Sequence, residues 1–207
     1  IEVTYVGSAA PETVAELLRD MFRDVERSYV NLPEQTPFRD GGGGEYTEQM
    51  DVTQGKLAMG FASPIWDADD RVVAMRLLNI IFGAGMTSKL FMNVREKMSL
   101  CYDIGSSFNS SKGLLLVNAG IDFDKMELTR QEVMNQLAAC QNGDITAEEL
   151  ASAKQYLCSA MRTVYDSTGS IEYFYSMENL SVRPMTPEQI TEAVEKTTLE
   201  EVVAAAR

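Results

Sequence analysis

The 207-residue sequence contains no histidine, three cysteines and no long apolar run. Without imidazole, the chain by itself cannot build a Ser-His-Asp triad, a Cys-His pair or a zinc site of the His-x-x-Glu-His type. Cys101, Cys140 and Cys158 are odd in number and too far apart for a Cys-x-x-Cys site, so neither a disulfide framework nor a zinc knuckle is indicated. We expect them to be reduced, mostly buried thiols of a cytoplasmic protein.

Basic side chains are also few. Lys and Arg total 18 against 31 Asp and Glu, which gives a net charge of -13. Such a chain repels phosphate backbones and anionic membrane surfaces, so we expect neither nucleic acid nor a membrane as a partner. Basic peptides remain compatible with this charge, and so does the simpler interpretation that acidity keeps the protein soluble. No apolar run approaches the ~20 residues of a membrane helix.

The composition, 45% hydrophobic and 24% charged, is that of a globular chain. The sequence begins with Ile1 rather than Met, and residues 198–207 predict a short helix without a C-cap residue. We therefore expect residues 1–207 to form a single domain that is a fragment of a longer polypeptide. Its preceding half is then absent from this sequence.

Hydrophobic periodicity predicts about five strands and a larger set of helices. Most of the strands fall in hairpin-like pairs and the helices are grouped, which favours an α+β fold over a doubly wound parallel sheet. We expect a mostly antiparallel sheet with helices packed on one face. The predicted strands are 2–7, 46–52, 56–63, 102–109 and 114–121; the predicted helices are 11–25, 72–82, 87–98, 126–140, 146–164 and 171–180, with two more starting at Thr186 and Thr198.

Neighbouring carboxylates are the first candidates for chemistry. The pairs at 69–70 and 148–149 lie at predicted helix starts, where capping and the helix dipole explain them. Asp122 and Asp124 lack the further oxygen ligands that calcium requires, so capping is favoured there too. The glycine run 41–44 has neither the lysine nor the following helix of a phosphate-binding loop, and it predicts a flexible loop.

The most unusual cluster is 83–102, which joins a glycine turn to a predicted helix carrying Arg95 and then to a strand that Tyr102 opens. A guanidinium and a phenol at one helix-to-strand corner can both donate hydrogen bonds to a carbonyl oxygen as it becomes negative. Composition and spacing alone also allow a structural explanation, in which Arg95 pairs with a surface carboxylate and Tyr102 packs at the strand end.

Particular residues of this cluster resemble a known family. Residues 83–91 (Gly-Ala-Gly-Met-Thr-Ser-Lys-Leu-Phe), 94–97 (Val-Arg-Glu-Lys) and 100–102 (Leu-Cys-Tyr) resemble the C-terminal half of the pitrilysin/insulinase-type zinc peptidases, which include the mitochondrial processing peptidases. The resemblance extends to 119–121 (Ala-Gly-Ile) and to the helix start at 146–154, and it covers essentially the whole chain.

The resemblance implies a division of labour between two homologous α+β halves, in one chain or two, which close like a clamshell around a peptide chamber. The first half holds zinc and a general-base glutamate, and the second contributes an arginine and a tyrosine that match Arg95 and Tyr102. It therefore implies no metal or cofactor in this chain, and zinc in the absent N-terminal half or in a partner subunit. The implied partners are a peptide substrate and a homologous half.

One departure from the family pattern leaves two functions open. Active members often read Arg-Gly-Leu-Ala-Tyr before this strand, whereas residues 97–102 here resemble those of bacterial zinc-less partner subunits. The chain is then either one wall of a peptidase chamber, with Arg95 and Tyr102 at the substrate carbonyl, or a non-catalytic binding or assembly subunit that dimerises with a zinc-bearing homologue. In both cases we expect no catalysis by this chain alone. A third possibility, an unrelated α+β module, is favoured if Arg95 and Tyr102 point away from one another.

Overall fold

The computed structural model describes residues 3–28 and 43–207. These residues form seven α-helices and three strands, with a π-helical turn at Ile80–Ala84 and a longer π-helical segment at Leu90–Lys97. The strands are β1 (Gly55–Ala62), β2 (Cys101–Asn109) and β3 (Leu114–Ile121); the helices are α1 (Pro11–Met21), α2 (Val72–Asn79), α3 (Met126–Gln141), α4 (Ala147–Thr163), α5 (Thr168–Glu178), α6 (Pro187–Lys196) and α7 (Leu199–Ala206).

The three strands form an antiparallel sheet in the order β1-β3-β2. A tight connection through Gly113, at φ 58°, joins β2 to β3. Only glycine fits there, since a Cβ at Gly113 would lie 2.5 Å from the carbonyl oxygen of Ser63. The hairpin turn is thus packed against the end of β1, which aligns all three strands.

One face of the sheet is covered by helices and the other is more open. Inward side chains of β3, such as Leu115 and Val117, are buried in a core shared with α2, α3, α6 and α7. On the opposite side of β1, Ala58, Gly60 and Ala62 are exposed. The predicted α+β class, with an antiparallel sheet and helices on one face, is confirmed.

Local chemistry explains where the later helices begin. Thr146, Thr186 and Thr198 each accept a hydrogen bond from the backbone N–H three residues on, and the Glu or Gln at that position caps the threonine in return. These are the capping boxes that the sequence predicts for α4, α6 and α7. At the end of α3, Gly143 adopts φ 86°, as a helix-terminating glycine does.

The sheet is smaller than expected, because the described residues contain three strands rather than about five. The alternating segment 46–52 carries no strand, and Tyr46 and Met50 are exposed. Of the segment 2–7, residue 2 lies outside the described residues and the remainder is irregular, with Val3 and Tyr5 exposed. Alternating residues form a strand only if a neighbouring strand supplies hydrogen bonds, and the described parts of these segments do not pair with the sheet.

Two other predictions concern the end of the helix 72–82 and the glycine run 41–44. The predicted helix 72–82 does not end at Gly83 but continues through it as a π-helical turn. The glycine run 41–44 falls partly outside the described residues, so the expected flexible loop is not observed either way. Among the helices of the described ranges, none has the length and apolarity needed to cross a bilayer.

Candidate functional site

The segment Leu90–Lys97 carries Arg95 and is fixed at several points. Leu90 and Val94 are fully buried, and they anchor one side of the segment in the core. On its flank, Asn93 Nδ2 donates a 2.7 Å hydrogen bond to Gln136 Oε1 on α3. The segment therefore has a defined orientation relative to the helical layer.

The glycine turn lets this segment lie close to the sheet. A Cβ at Gly83 would lie 2.6 Å from Ser106 Oγ on β2 and 2.7 Å from Cδ1 of Leu90. Ser106 Oγ also donates a 2.7 Å hydrogen bond to Oδ1 of Asn79, which joins the end of α2 to β2. The absence of a side chain at Gly83 thus allows the turn, Leu90 and β2 to meet.

A short turn connects the segment to β2. Ser99 adopts a positive φ of 51°, and its N–H bonds to the carbonyl of Arg95 at 3.0 Å. Leu100 N–H bonds to the carbonyl of Val94 at 3.1 Å, and Lys125 Nζ donates to the carbonyl of Ser99 at 3.3 Å. These bonds bring the start of β2 back beside Arg95.

The guanidinium of Arg95 is held by contacts with the main chain of Tyr102 and with two neighbouring side chains. Its Nε donates a 2.8 Å hydrogen bond to the main-chain carbonyl of Tyr102. The guanidinium carbon lies 4.6 Å from the centroid of the Phe91 ring, and Nη1 lies 3.3 Å from Glu96 Oε1. Nη2 has no hydrogen-bond partner among the residues that the structure describes. With 36% of the side chain exposed, a positioned cation faces solvent.

Tyr102 owes its position to an irregularity in the sheet. Cys101 pairs with Ile121 and Asp103 pairs with Gly120, so Tyr102 is an extra residue without a partner on β3. Such a bulge removes the extra residue from the ladder, which leaves its carbonyl available to Arg95. The residue is 75% exposed, and within the described ranges no group bonds its hydroxyl.

The structure therefore brings Arg95 to the backbone of Tyr102 and leaves donors of both side chains unused within the described chain. The structural explanation, in which Arg95 pairs with a surface carboxylate, is also partly supported, since Arg95 contacts Glu96. An exposed pair of this kind contributes little energy and does not compete strongly with a ligand. The arrangement can donate hydrogen bonds to an anionic or carbonyl oxygen.

A second ion pair borders the same end of the sheet. Lys56 Nζ on β1 lies 3.8 Å from Asp103 Oδ1 on β2, and the pair spans Gly120 of β3. A Cβ at Gly120 would lie 2.2 Å from the same Asp103 oxygen, so the glycine leaves the space that the pair occupies. Both side chains are more than half exposed, which keeps this charge pair within reach of solvent.

The carboxylate pairs have structural partners. Asp69 bonds Arg71, and Asp70 contacts Arg183. Asp122 lies 3.0 Å from Lys125. Across residues 3–28 and 43–207, no three or more Cys, Asp or Glu side chains converge as metal ligands would. The described residues therefore do not fit a zinc ion, and no step of the chemistry is assigned to a metal in them.

The cysteines are all free. Cys140 and Cys158 are buried and Cys101 is half-buried, as the sequence predicts for most of them. Burial raises the pKa of the Cys140 thiol to about 11, so this thiol stays protonated at neutral pH. A protonated, buried thiol is a poor nucleophile, and Cys140 belongs to the core rather than to a reactive site.

Sequence reasoning missed the ion pair of the buried Lys89 with the partly buried Glu149, whose charged atoms lie 2.9 Å apart. Lysine is usually a surface residue, so a lysine at position 89 does not by itself predict burial. A signal was nevertheless present, because Lys89 lies between Ser88 and Leu90 at the start of a segment whose apolar side faces the core. Both of those neighbours are buried.

Comparison with known proteins decides the family. Residues 1–157 match the family model described as the Peptidase M16 inactive domain. The chain belongs to this family. The resemblance to a zinc-peptidase family that residues 83–102 indicate is thereby confirmed.

Curated relatives agree with this assignment. The chain is 29% identical over 206 residues to the "Probable inactive metalloprotease YmfF" of Bacillus subtilis, covering 99% of this chain and 48% of that protein. It is 34% identical over 119 residues to an "Uncharacterized zinc protease" of Rickettsia felis, covering 56% of this chain and 29% of that protein. The M16 chain thus spans about half the length of the Bacillus relative, and its match covers 29% of the Rickettsia relative.

Solved structures share the fold. A protease from Helicobacter pylori has a TM-score of 0.83 over 97% of this chain and 50% of its own, and at 19% identity the likeness concerns the fold alone. An M16 inactive domain from Pseudomonas fluorescens has a TM-score of 0.66 at 25% identity, covering 75% of this chain and 38% of that chain. The α+β arrangement described above is therefore that of M16 proteins.

Proposed function

We propose that this M16 domain forms one wall of a peptide-binding chamber and that Arg95 and Tyr102 donate hydrogen bonds to the carbonyl of a bound peptide. The observation that carries the proposal is the 2.8 Å bond from Arg95 Nε to the Tyr102 carbonyl. It fixes the guanidinium beside the bulge while Nη2 and the Tyr102 hydroxyl keep their donors. Donors placed before the reaction stabilise a developing oxyanion at little reorganisation cost.

The remaining chemistry is assigned outside this chain. In a zinc peptidase, water is activated by a base and a metal, which we place, as zinc and its ligands, in the preceding half of the polypeptide or in a homologous partner subunit. The negative charge and the free thiols support a cytoplasmic protein that handles peptides rather than nucleic acid or membranes. The partnership is a dimer of homologous halves.

The test is peptide cleavage by the complete protein assembled with its zinc-bearing half. Arg95→Ala is expected to lower kcat/KM by about 10² or more, as loss of an oxyanion donor does. Arg130→Ala is the matched control, since Arg130 is an exposed arginine on α3 that pairs with Glu127. Wild-type activity in Arg95→Ala contradicts the proposed function of the site, and wild-type activity in Tyr102→Phe contradicts the contribution of the hydroxyl.

A second function, a non-catalytic binding or assembly subunit, is favoured by one specific observation. The relative matched over 99% of this chain carries the name "Probable inactive metalloprotease". In this case Arg95 and Tyr102 recognise a peptide or a partner without accelerating cleavage. Size-exclusion chromatography with light scattering then shows a complex with a zinc-bearing homologue, and Arg95→Ala leaves the cleavage rate of that complex unchanged.

A further inference from the structure

Lys89 is a buried cation to which the function proposed above for Arg95 and Tyr102 assigns no role. Its side chain is 8% exposed, and Nζ lies 2.9 Å from Oε1 of Glu149. A lysine enters a protein interior only when a partner offsets its lost hydration, and removing one member of such a pair leaves a buried, unpaired charge. We therefore expect the lysine at this buried position to have a structural or functional role.

The Glu149 carboxylate is also oriented by contacts other than the one with Lys89. Its second oxygen, Oε2, accepts a 2.7 Å hydrogen bond from the backbone N–H of Thr146, while Thr146 Oγ1 accepts one of 3.1 Å from the N–H of Glu149. This capping box fixes the carboxylate to the first turn of α4. Lys89 is thus attached to a rigid point of the helical layer.

The ion pair lies at the start of the segment that carries Arg95. Lys89 directly precedes the Leu90–Lys97 segment, and the other end of that segment carries Arg95, which is bonded to β2. The apolar anchors Leu90 and Val94 hold the segment in the core, but apolar contact is not directional. A charged hydrogen bond to an oriented carboxylate adds a fixed position along the segment.

We propose that Lys89 is a positioning residue for Arg95: its ion pair with Glu149 sets where the Leu90–Lys97 segment begins and hence where the guanidinium meets a peptide carbonyl. This inference rests on the proposed function of Arg95. Its physical basis is that small displacements of a contacting group carry large kinetic costs. Lys89 itself, being buried, acts through the segment and not on the substrate.

A double-mutant cycle in the complete, assembled protein tests the inference. Lys89→Met removes the charge while keeping a long apolar stem, and it is expected to lower kcat/KM by about 10- to 100-fold. Lys89→Arg, which keeps the cation, is expected to restore most of the activity. In an Arg95→Ala background, Lys89→Met is expected to cost nothing further, because its effect passes through Arg95. An equal loss in both backgrounds overturns the inference.

Controls separate positioning from folding. Lys196→Met removes an exposed lysine that pairs with Glu192 on α6, and it is expected to leave activity unchanged. Hydrogen exchange is expected to quicken in residues 90–97 of Lys89→Met while α6 is unaffected, and unchanged exchange in 90–97 overturns the inference. If Lys89→Met fails to fold, Glu149→Gln takes its place in the cycle, since glutamine keeps a capping oxygen and removes the charge.

The two proposals fail in different ways. Wild-type activity in Arg95→Ala contradicts the proposed function of the site. A loss in Arg95→Ala together with wild-type activity in Lys89→Met contradicts only the positioning role of Lys89.

Discussion

The Nε of Arg95 donates a 2.8 Å hydrogen bond to the main-chain carbonyl of Tyr102, the extra residue of a bulge at the start of β2. Because the bulge removes this carbonyl from the ladder, the arginine takes the place of a strand partner. One defect in the sheet therefore holds the guanidinium and exposes the phenol at the same corner. This arrangement depends on the glycine turn, the core and the helix starts that surround it.

We expect Gly83→Ala to destabilise the domain. The new methyl group would lie 2.6 Å from Ser106 Oγ and 2.7 Å from Leu90 Cδ1, both within the packed interface between the turn and β2. Overpacking of this kind costs about 1–3 kcal/mol. Urea unfolding, followed by far-UV circular dichroism, measures the change in the free energy of unfolding.

The neighbouring Gly85→Ala is the matched control. Gly85 has an extended backbone at φ −137°, and a Cβ there meets no atom within 4 Å. Its replacement is expected to be neutral or stabilising by a few tenths of a kcal/mol, through the unfolded chain. Equal unfolding midpoints for the two alanine variants would show that the turn is not tightly packed against β2.

The stability of the domain is expected to fall at high pH through Cys140. Burial raises the pKa of this thiol from 9.0 to about 11. Below pH 9 it is protonated in both states, whereas between pH 9 and about 11 only the unfolded chain releases the proton. The thiol's contribution is therefore complete below pH 9 and is lost as the pH rises towards about 11.

Cys140→Ala isolates this contribution. Between pH 8 and pH 10.5, the free energy of unfolding of the wild type should fall by about 2 kcal/mol more than that of the variant. The small cavity left by the missing sulfur lowers stability equally at both pH values. Parallel pH profiles for the two proteins would mean that Cys140 ionises as readily in the folded state as in the unfolded chain.

Much of the fold could be predicted from local chemistry. The starts of α4, α6 and α7 follow from capping boxes whose partners lie three residues apart, and the hairpin of β2 and β3 follows from two runs joined by a tight turn at Gly113. The segment 46–52 alternates in the same way, yet it remains irregular because strand formation depends on a neighbour that sequence periodicity does not reveal.

The sequence singles out Arg95 and Tyr102 as candidate residues but does not give the geometry in which they meet. The spacing of Arg95 and Tyr102 indicates a helix-to-strand corner, but it does not reveal that the arginine bonds the tyrosine's backbone. That contact requires a bulge, which is a property of the pairing with β3. The Lys89–Glu149 pair was missed for a similar reason, since it joins residues that are distant in sequence and meet only when α4 packs beside the glycine turn.

The isolated 207-residue chain is expected to bind no stoichiometric zinc and to cleave no peptide. It has no histidine, and its described acidic and thiol groups do not converge. Metal analysis after equilibrium dialysis against zinc measures this directly. A tight one-to-one complex would contradict the assignment of the metal to another half.

The role of Arg95 and Tyr102 at the substrate carbonyl is tested most directly by the kcat/KM of Tyr102→Phe in the complete protein assembled with its zinc-bearing half. This substitution removes one exposed hydroxyl and keeps the main-chain carbonyl that Arg95 binds, so the position of the guanidinium is retained. We expect a fall of about 10² or more, mainly in kcat, with the fold unchanged. Cleavage at the wild-type rate would contradict a contribution of this tyrosine to the reaction.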